Sequence, residues 1–235
     1  MSQQQPSVWT QRYYPRDDGV AFDRVIFFSD AVYAIALTLI AVEIGIPEVE
    51  GDAADPHVLW EAFAALGPRI GAFVVAFVWI AIYWRANHRF VMTLRRMNST
   101  YVAATIVYLA LIAFLPVPAA TLGEFWSNPL AITIFALYAS VVSTMEVVLI
   151  WVAIRGDLFI APLSPAFARQ TIAGALTPVV GFLVSIPVAF LLWPTAAIAT
   201  WFVAAVVLGY AVTMLFPAEP PADPPKADAA PEESD

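Results

Sequence analysis

Residues 23–46 read DRVIFFSDAVYAIALTLIAVEIGI, and this stretch decides the fold. About 20 apolar residues rising 1.5 Å each suffice to cross the roughly 30 Å of bilayer hydrocarbon, and this run is long enough. Its polar residues are few: Arg24, Ser29 and Asp30, then Thr38 and Glu43. Five stretches of similar character follow, at 68–90, 100–122, 130–154, 169–192 and 194–216. The expected fold is therefore an all-α membrane protein with six transmembrane helices per chain. Pro116 and Pro118 interrupt the third span late, and Pro178 and Pro187 lie within the fifth; prolines inside a span imply kinks rather than breaks. The segment HVLWEAFAAL before Gly67 reads either as a short interfacial helix with Trp60 at the headgroups or as an extended start to the second span.

Composition points the same way. Of 235 residues, 61% are hydrophobic and only 13% charged, and the mean hydropathy is +0.76. A soluble domain needs about 25% charged residues to dress its surface, so a water-soluble globular enzyme is excluded. There is no cysteine, hence no disulfide framework, thiolate metal site or cysteine nucleophile. The two histidines, His57 and His88, make a protein-built zinc or haem site an unpromising reading, and no cofactor is expected. Glycine-rich phosphate loops, nucleophile elbows and nucleic-acid signatures are not evident.

The net charge of −8 is largely a tail property. Residues 217–235 hold six acidic residues against Lys226, are proline-rich and lack any apolar run, so they are expected to stay disordered. Three parts result: a polar N-terminal segment at 1–21, a six-span domain at 22–216, and the acidic tail at 217–235. The opening polar stretch does not read as a cleaved secretory signal. All basic residues except Arg69 fall on one side of the six spans. Cytoplasmic loops collect Lys and Arg, so both termini are expected in the cytoplasm of a multi-pass protein of the cell membrane.

Intramembrane polar residues are the first candidates for function. On a wheel of about 100° per residue, Arg24, Phe28, Ala31, Ile35, Leu39, Val42 and Ile46 form one stripe with Thr38 at its edge. Asp30, Ala34 and Ala41 point well away from it. The apolar stripe reads either as lipid contact and ordinary packing, or as a pore whose narrow part is made of apolar rings. Asp30 reads as a packing carboxylate with Arg24 and His88 as its nearest partners. Glu146, within the fourth span, is expected to form a structural ion pair with an arginine such as Arg85 rather than to relay protons. Glu43 reads as a solvated interfacial residue, with cation attraction at an outer vestibule as the other reading.

The string Arg24 to Asp30 fits R-x-x-x-F-S-D and continues as AVYAIALTLIAVEIGIP. IYWRANHRF closes the second span and LPVPAATLGEF ends the third. In these motifs, in their order and in the six spans, the chain resembles the bacterial one-repeat members of the transmembrane protein 175 family across residues 22–216. Ala31 stands where many relatives carry glycine, while Asn87 before His88 fits the family pattern. The resemblance implies a homotetrameric, potassium-permeable cation channel, with sodium and protons open as further permeants and no metal beyond potassium in transit. By the same resemblance the first span lines the pore, Ile35, Leu39 and Val42 match the constriction, and Thr38 matches a threonine one turn away. Arg24, Phe28, Ser29 and Asp30 match a fingerprint that holds the first span through contacts including Trp84 and His88.

Two further features bear on that reading. No TVGYG-like carbonyl filter is present, so selectivity would rest on a tight apolar constriction and the Thr38 ring. The partners implied are potassium ions, the lipid bilayer and other copies of the chain, without nucleic acid. Two other classes remain open: a proton-coupled transporter using Asp30, His88 and Glu146, and a non-conducting membrane partner.

Overall fold

The computed structural model describes residues 13–16, 20–161 and 163–218. The acidic tail beyond residue 218 and most of the N-terminal segment lie outside the described residues. The elements are β1 (Tyr13–Pro15), α1 (Val20–Val42), α2 (Pro56–Ala65), α3 (Gly67–Val91), β2 (Arg96–Asn98), α4 (Ser99–Phe114), α5 (Pro116–Glu124), α6 (Pro129–Arg155), α7 (Pro165–Leu191) and α8 (Pro194–Leu215). Among the described residues six helical spans are long and apolar enough to cross a membrane, α4 and α5 counting together as one.

Local chemistry sets the helix boundaries. Asn98, Asn128 and Ser164 each accept a hydrogen bond from a first-turn backbone N–H, at Tyr101, Leu130 and Phe167, which satisfies one of the donors a helix start leaves open. Proline follows the cap directly at Pro129 and Pro165, where its missing N–H is harmless. Pro116 divides the third span into α4 and α5. At the end of α1 the chain turns through Gly45 with φ +73°, a left-handed conformation suited to glycine. The first helix thus stops at Val42, so Glu43 lies in the turn beyond it rather than inside a helix extending to residue 46. HVLWEAFAAL forms a separate helix, α2, capped by Asp55 and broken from α3 at Leu66.

One continuous core runs through the bundle. Trp79 of α3 packs on Phe182 of α7, with ring centroids 4.7 Å apart, and Phe135 of α6 stacks on Trp201 of α8 at 5.0 Å. Trp201 also donates its indole N–H to Ser185 Oγ at 2.6 Å, tying α8 to α7. Pro178 leaves the Gly174 carbonyl without its helical donor, and Thr177 Oγ1 supplies one at 2.8 Å, so the kinked helix keeps its polar groups satisfied.

The end of the bundle that carries most arginines is fastened by polar contacts. Tyr13–Pro15 pairs antiparallel with Arg96–Asn98, so part of the N-terminal segment joins the six-span body. Asp157, at φ 48°, receives Arg95 at 2.7 Å and lies 3.7 Å from Arg96. At the opposite end Arg69, the exception to the charge pattern, pairs with Glu124 at 2.7 Å.

Two glycines of α7 make opposite predictions. A Cβ at Gly181 would approach the Ala204 Cβ to 2.8 Å, whereas one at Gly174 meets nothing within 4 Å. Gly181→Ala is expected to destabilise by about 1–3 kcal/mol through overpacking against α8. Gly174→Ala is expected to stabilise by about 0.5–1 kcal/mol, since glycine is a poor helix former. Thermal unfolding in detergent checks the pair; shifts of the same sign would contradict this packing.

Candidate functional site

The first helix shows which of its faces the chain itself uses. Phe22, Ser29, Tyr33, Ala36 and Ile40 are buried and lie on one side of the helix, which packs against α3, α4 and α5. Neither face singled out on the helical wheel is this one. The stripe residues Ile35, Leu39 and Val42 are 56%, 44% and 72% exposed, and Thr38 is exposed beside them. Ala34 and Ala41 are exposed as well, so the small residues extend the uncovered surface instead of forming a packing face within the chain. Thr38 Oγ1 donates to the Ile35 carbonyl at 2.8 Å, which leaves its lone pairs free to accept.

The fingerprint residues separate by position. Arg24 and Phe28 lie on the exposed side, while Ser29 is buried and donates to the Val25 carbonyl at 2.8 Å. Asp30 sits at the boundary between the two sides and accepts from Trp84 Nε1 at 2.9 Å. His88 lies one turn further along α3, stacked on Trp84 with centroids 5.4 Å apart. The structure therefore joins Asp30 to Trp84 directly and His88 only through the tryptophan. Asp30 makes no ion pair with Arg24 among the described residues, because Arg24 stands more than a turn away on the exposed side. The crevice beside this contact, lined by Ser29, Asp30, Asn87 and His88, measures only about 10 Å³, which suits a packing device and leaves no room for a ligand.

A second polar connection was not anticipated from the sequence. Tyr33 donates to Tyr108 Oη at 2.7 Å, and Tyr108 donates to Glu146 Oε1 at 2.9 Å. This chain crosses from α1 through α4 to α6. Glu146 Oε1 is thus engaged by a tyrosine and not by Arg85, which stands exposed on α3 and makes no ion pair among the described residues. A neutral hydroxyl can reach the interior at small desolvation cost, whereas a guanidinium would lose its hydration there. The available signal was a tyrosine in the middle of each of two spans, at depths comparable with Glu146. A related bond holds α3 to α6, where Tyr83 Oη lies 2.9 Å from Ser143 Oγ and donates to the Ala139 carbonyl at 3.1 Å.

Asp30 and Glu146 consequently belong to separate hydrogen-bonded groups, and the structure does not assemble Asp30, His88 and Glu146 into one path. Glu43, at the far end of α1, lines a cavity of about 400 Å³ together with Arg69 and Glu124. Among the described residues no group of three His, Asp or Glu side chains is arranged to hold a metal.

The tyrosine chain can be dissected. Tyr108→Phe removes both of its hydrogen bonds and is expected to cost about 1–2 kcal/mol in a membrane interior, while Tyr33→Phe, which leaves the bond to Glu146 intact, costs about 0.5 kcal/mol. The double variant is expected to cost less than the sum, because the removed bond is shared. Detergent unfolding measurements showing strict additivity would argue against the connection.

Comparison with known proteins places this arrangement. The family described as "Endosomal/lysosomal potassium channel TMEM175" matches residues 24–116. A protein from Streptomyces collinus named as a potassium channel is 31% identical over 153 residues, covering 63% of this chain and 72% of that protein. One from Chamaesiphon minutus with the same designation is 30% identical over 125 residues, covering 53% of this chain and 61% of that one. The crystal structure of a lysosomal potassium-selective channel TMEM175 homolog from Chamaesiphon minutus superposes with a TM-score of 0.65 at 23% identity, covering 81% of this chain and 97% of that one.

Proposed function

The chain belongs to the TMEM175 family, and we propose that this multi-pass membrane protein is a potassium-permeable cation channel, built from four copies that set α1 around a central axis. The observation that carries the reading is the uncovered face of α1. The first and last spans, α1 and α8, are the least buried of the six, and the chemistry of their uncovered faces differs. Over residues 201–212 of α8 the exposed residues are all bulky, Val203, Val206, Val207 and Tyr210, as lipid contact favours, and its small exposed residues, among them Ala196, Ala199 and Thr213, lie toward its ends. On α1, Ala31, Ala34, Thr38 and Ala41 alternate with Ile35, Leu39 and Val42. Small residues allow helices to approach closely, and a hydroxyl among them suits a wet axis better than hydrocarbon.

Symmetry then supplies what one chain lacks. A single six-span unit has too few polar residues to line a water path, but each stripe residue becomes a ring when copies surround an axis. Ile35, Leu39 and Val42 form the apolar constriction, and Thr38 contributes hydroxyls one turn from its first ring. Apolar rings of this kind control conduction through dehydration of the passing ion. The relatives' designation as potassium channels supports potassium as the permeant ion. Arg24 and Phe28, exposed near the inner end of α1, face the position of a neighbouring copy, while Asp30 and Trp84 hold α1 to α3. The arginine distribution supports cytoplasmic termini and residence in the cell membrane. The protein on this reading is a conduit, with no enzymatic step assigned to it.

Flux tests the assignment. Purified protein in liposomes is expected to carry potassium faster than sodium down equal gradients. Ile35→Ala is expected to raise flux and reduce the preference, each by roughly tenfold, equivalent to about 1.4 kcal/mol at the barrier. Asp30→Ala is expected to lower the yield of assembled tetramer instead. Identical flux and ion preference in the parent and in Ile35→Ala would place the pathway elsewhere.

A further inference from the structure

Away from α1, a cavity of about 370 Å³ opens between α3, α6 and α7, with Ala205 of α8 at its wall. Its lining is mainly apolar, supplied by Trp79, Ile82, Leu149, Ile150, Ala175 and Pro178. An adjoining crevice of about 230 Å³ shares Ala86, Phe90, Ile150 and Thr171 with it, so the space continues toward the arginine-bearing rim, where Arg89 is exposed. Small-molecule pockets run from about 300 to 1,000 Å³ and pair apolar walls with a few placed polar groups. The polar members of the lining are Glu146, Asn87, Tyr83, Thr171 and Thr177, beside Trp79, whose indole N–H has no partner; Tyr83, Thr171 and Thr177 are bonded within the bundle, which leaves Glu146 and Asn87 to meet a ligand.

Glu146 is half-buried, and only its Oε1 is engaged, by the Tyr108 hydroxyl. Among the described residues Oε2 has no hydrogen-bond partner, and Glu146 has no ion pair. Oε2 is not among the fully buried atoms and opens on this apolar-walled space without a partner, where a hydrogen-bonded cation would complete its surroundings. The chemistry of the lining narrows what that partner is. A bare alkali cation needs a shell of oxygen ligands, but the Thr177 hydroxyl is already bonded to the Gly174 carbonyl and the Thr171 hydroxyl to the Phe167 carbonyl. A lipid acyl chain would fill the walls and leave Oε2 as it is.

We propose that this cavity is a binding site for a small hydrophobic amine, whose ammonium group donates to Glu146 Oε2 and the Asn87 side-chain oxygen and whose hydrocarbon body lies between Ile82, Leu149 and Pro178. The site lies on the opposite side of Tyr108 from α1, and the assignment stands independently of ion conduction.

Binding of tritiated 4-phenylbutylamine to the full-length protein in lipid nanodiscs tests it, with empty nanodiscs measuring partition into lipid. Saturable binding above that background is expected, competed at least about tenfold better by the unlabelled amine than by 4-phenylbutanol, a difference of about 1.4 kcal/mol. Glu146→Gln is expected to weaken binding by a similar factor. Gly174→Leu is expected to abolish it by filling the cavity, and because a Cβ at Gly174 meets nothing within 4 Å, this variant serves if Glu146→Gln fails to fold. Uptake equal to empty nanodiscs, equal competition by the alcohol, or undiminished binding in folded Gly174→Leu would each overturn the proposal.

Discussion

The rotational setting of α1 about its own axis is the constraint on which the rest of the molecule depends. Helices in lipid gain little from hydrophobic burial against one another, so close packing and directional polar contacts determine which side faces inward. Tyr33 gives α1 such a contact: its hydroxyl reaches Tyr108, which in turn reaches Glu146. Trp84 adds a second at Asp30, nearer the arginine-bearing end. Two hydrogen bonds at different depths hold a rod against rotation better than either alone. With Tyr33 and Ile40 only 1% and 2% exposed, the stripe of Ile35, Leu39 and Val42 has to remain outside the single chain.

The two ends of the bundle are secured differently. At the arginine-bearing end, the connector from α3 to α4 is stitched to the turn after α6. Arg95 N–H donates to the Leu158 carbonyl, Ile160 N–H donates to the Thr93 carbonyl, and Asp157 faces Arg95 and Arg96. At the other end a single exposed pair among the described residues, Arg69 with Glu124, joins α3 to the end of α5. An exposed pair of this kind contributes roughly 0–1 kcal/mol, so its greater consequence is to neutralise the one arginine that departs from the charge asymmetry. Close approach of backbones also matters there, since a Cβ at Gly123 would come within 3.1 Å of the Arg69 Cα.

An aromatic layer running from α3, a neighbour of α1, out to α8 serves as a scaffold. Aromatic contacts among Trp79, Phe135, Phe182 and Trp201 join α3, α6, α7 and α8. Pro178 does not break this layer, because Thr177 satisfies the carbonyl that the proline frees. The space left beside that kink is the cavity containing Glu146, so one carboxylate lies between the scaffold and, through Tyr108, the first helix.

Much of the fold was legible in the linear chain because lipid imposes a length and a polarity on any segment that crosses it. Six spans, the prolines that bend or divide them and the arginine asymmetry follow from composition and spacing alone. The stripe of Ile35, Leu39 and Val42 was also legible, since helical period groups residues by face. Which face the chain would bury was not. Burial of the Phe22, Tyr33, Ala36 and Ile40 side depends on Tyr108 and Glu146, about 75 and 113 residues away from Tyr33 in sequence, and periodicity carries no information about partners on other helices. The partners of Glu146 and Asp30 were undetermined for the same reason. Arg85, Arg24 and His88 offered suitable charge or proximity along the chain, whereas Tyr108 and Trp84 had the depth and direction that only the packed bundle defines.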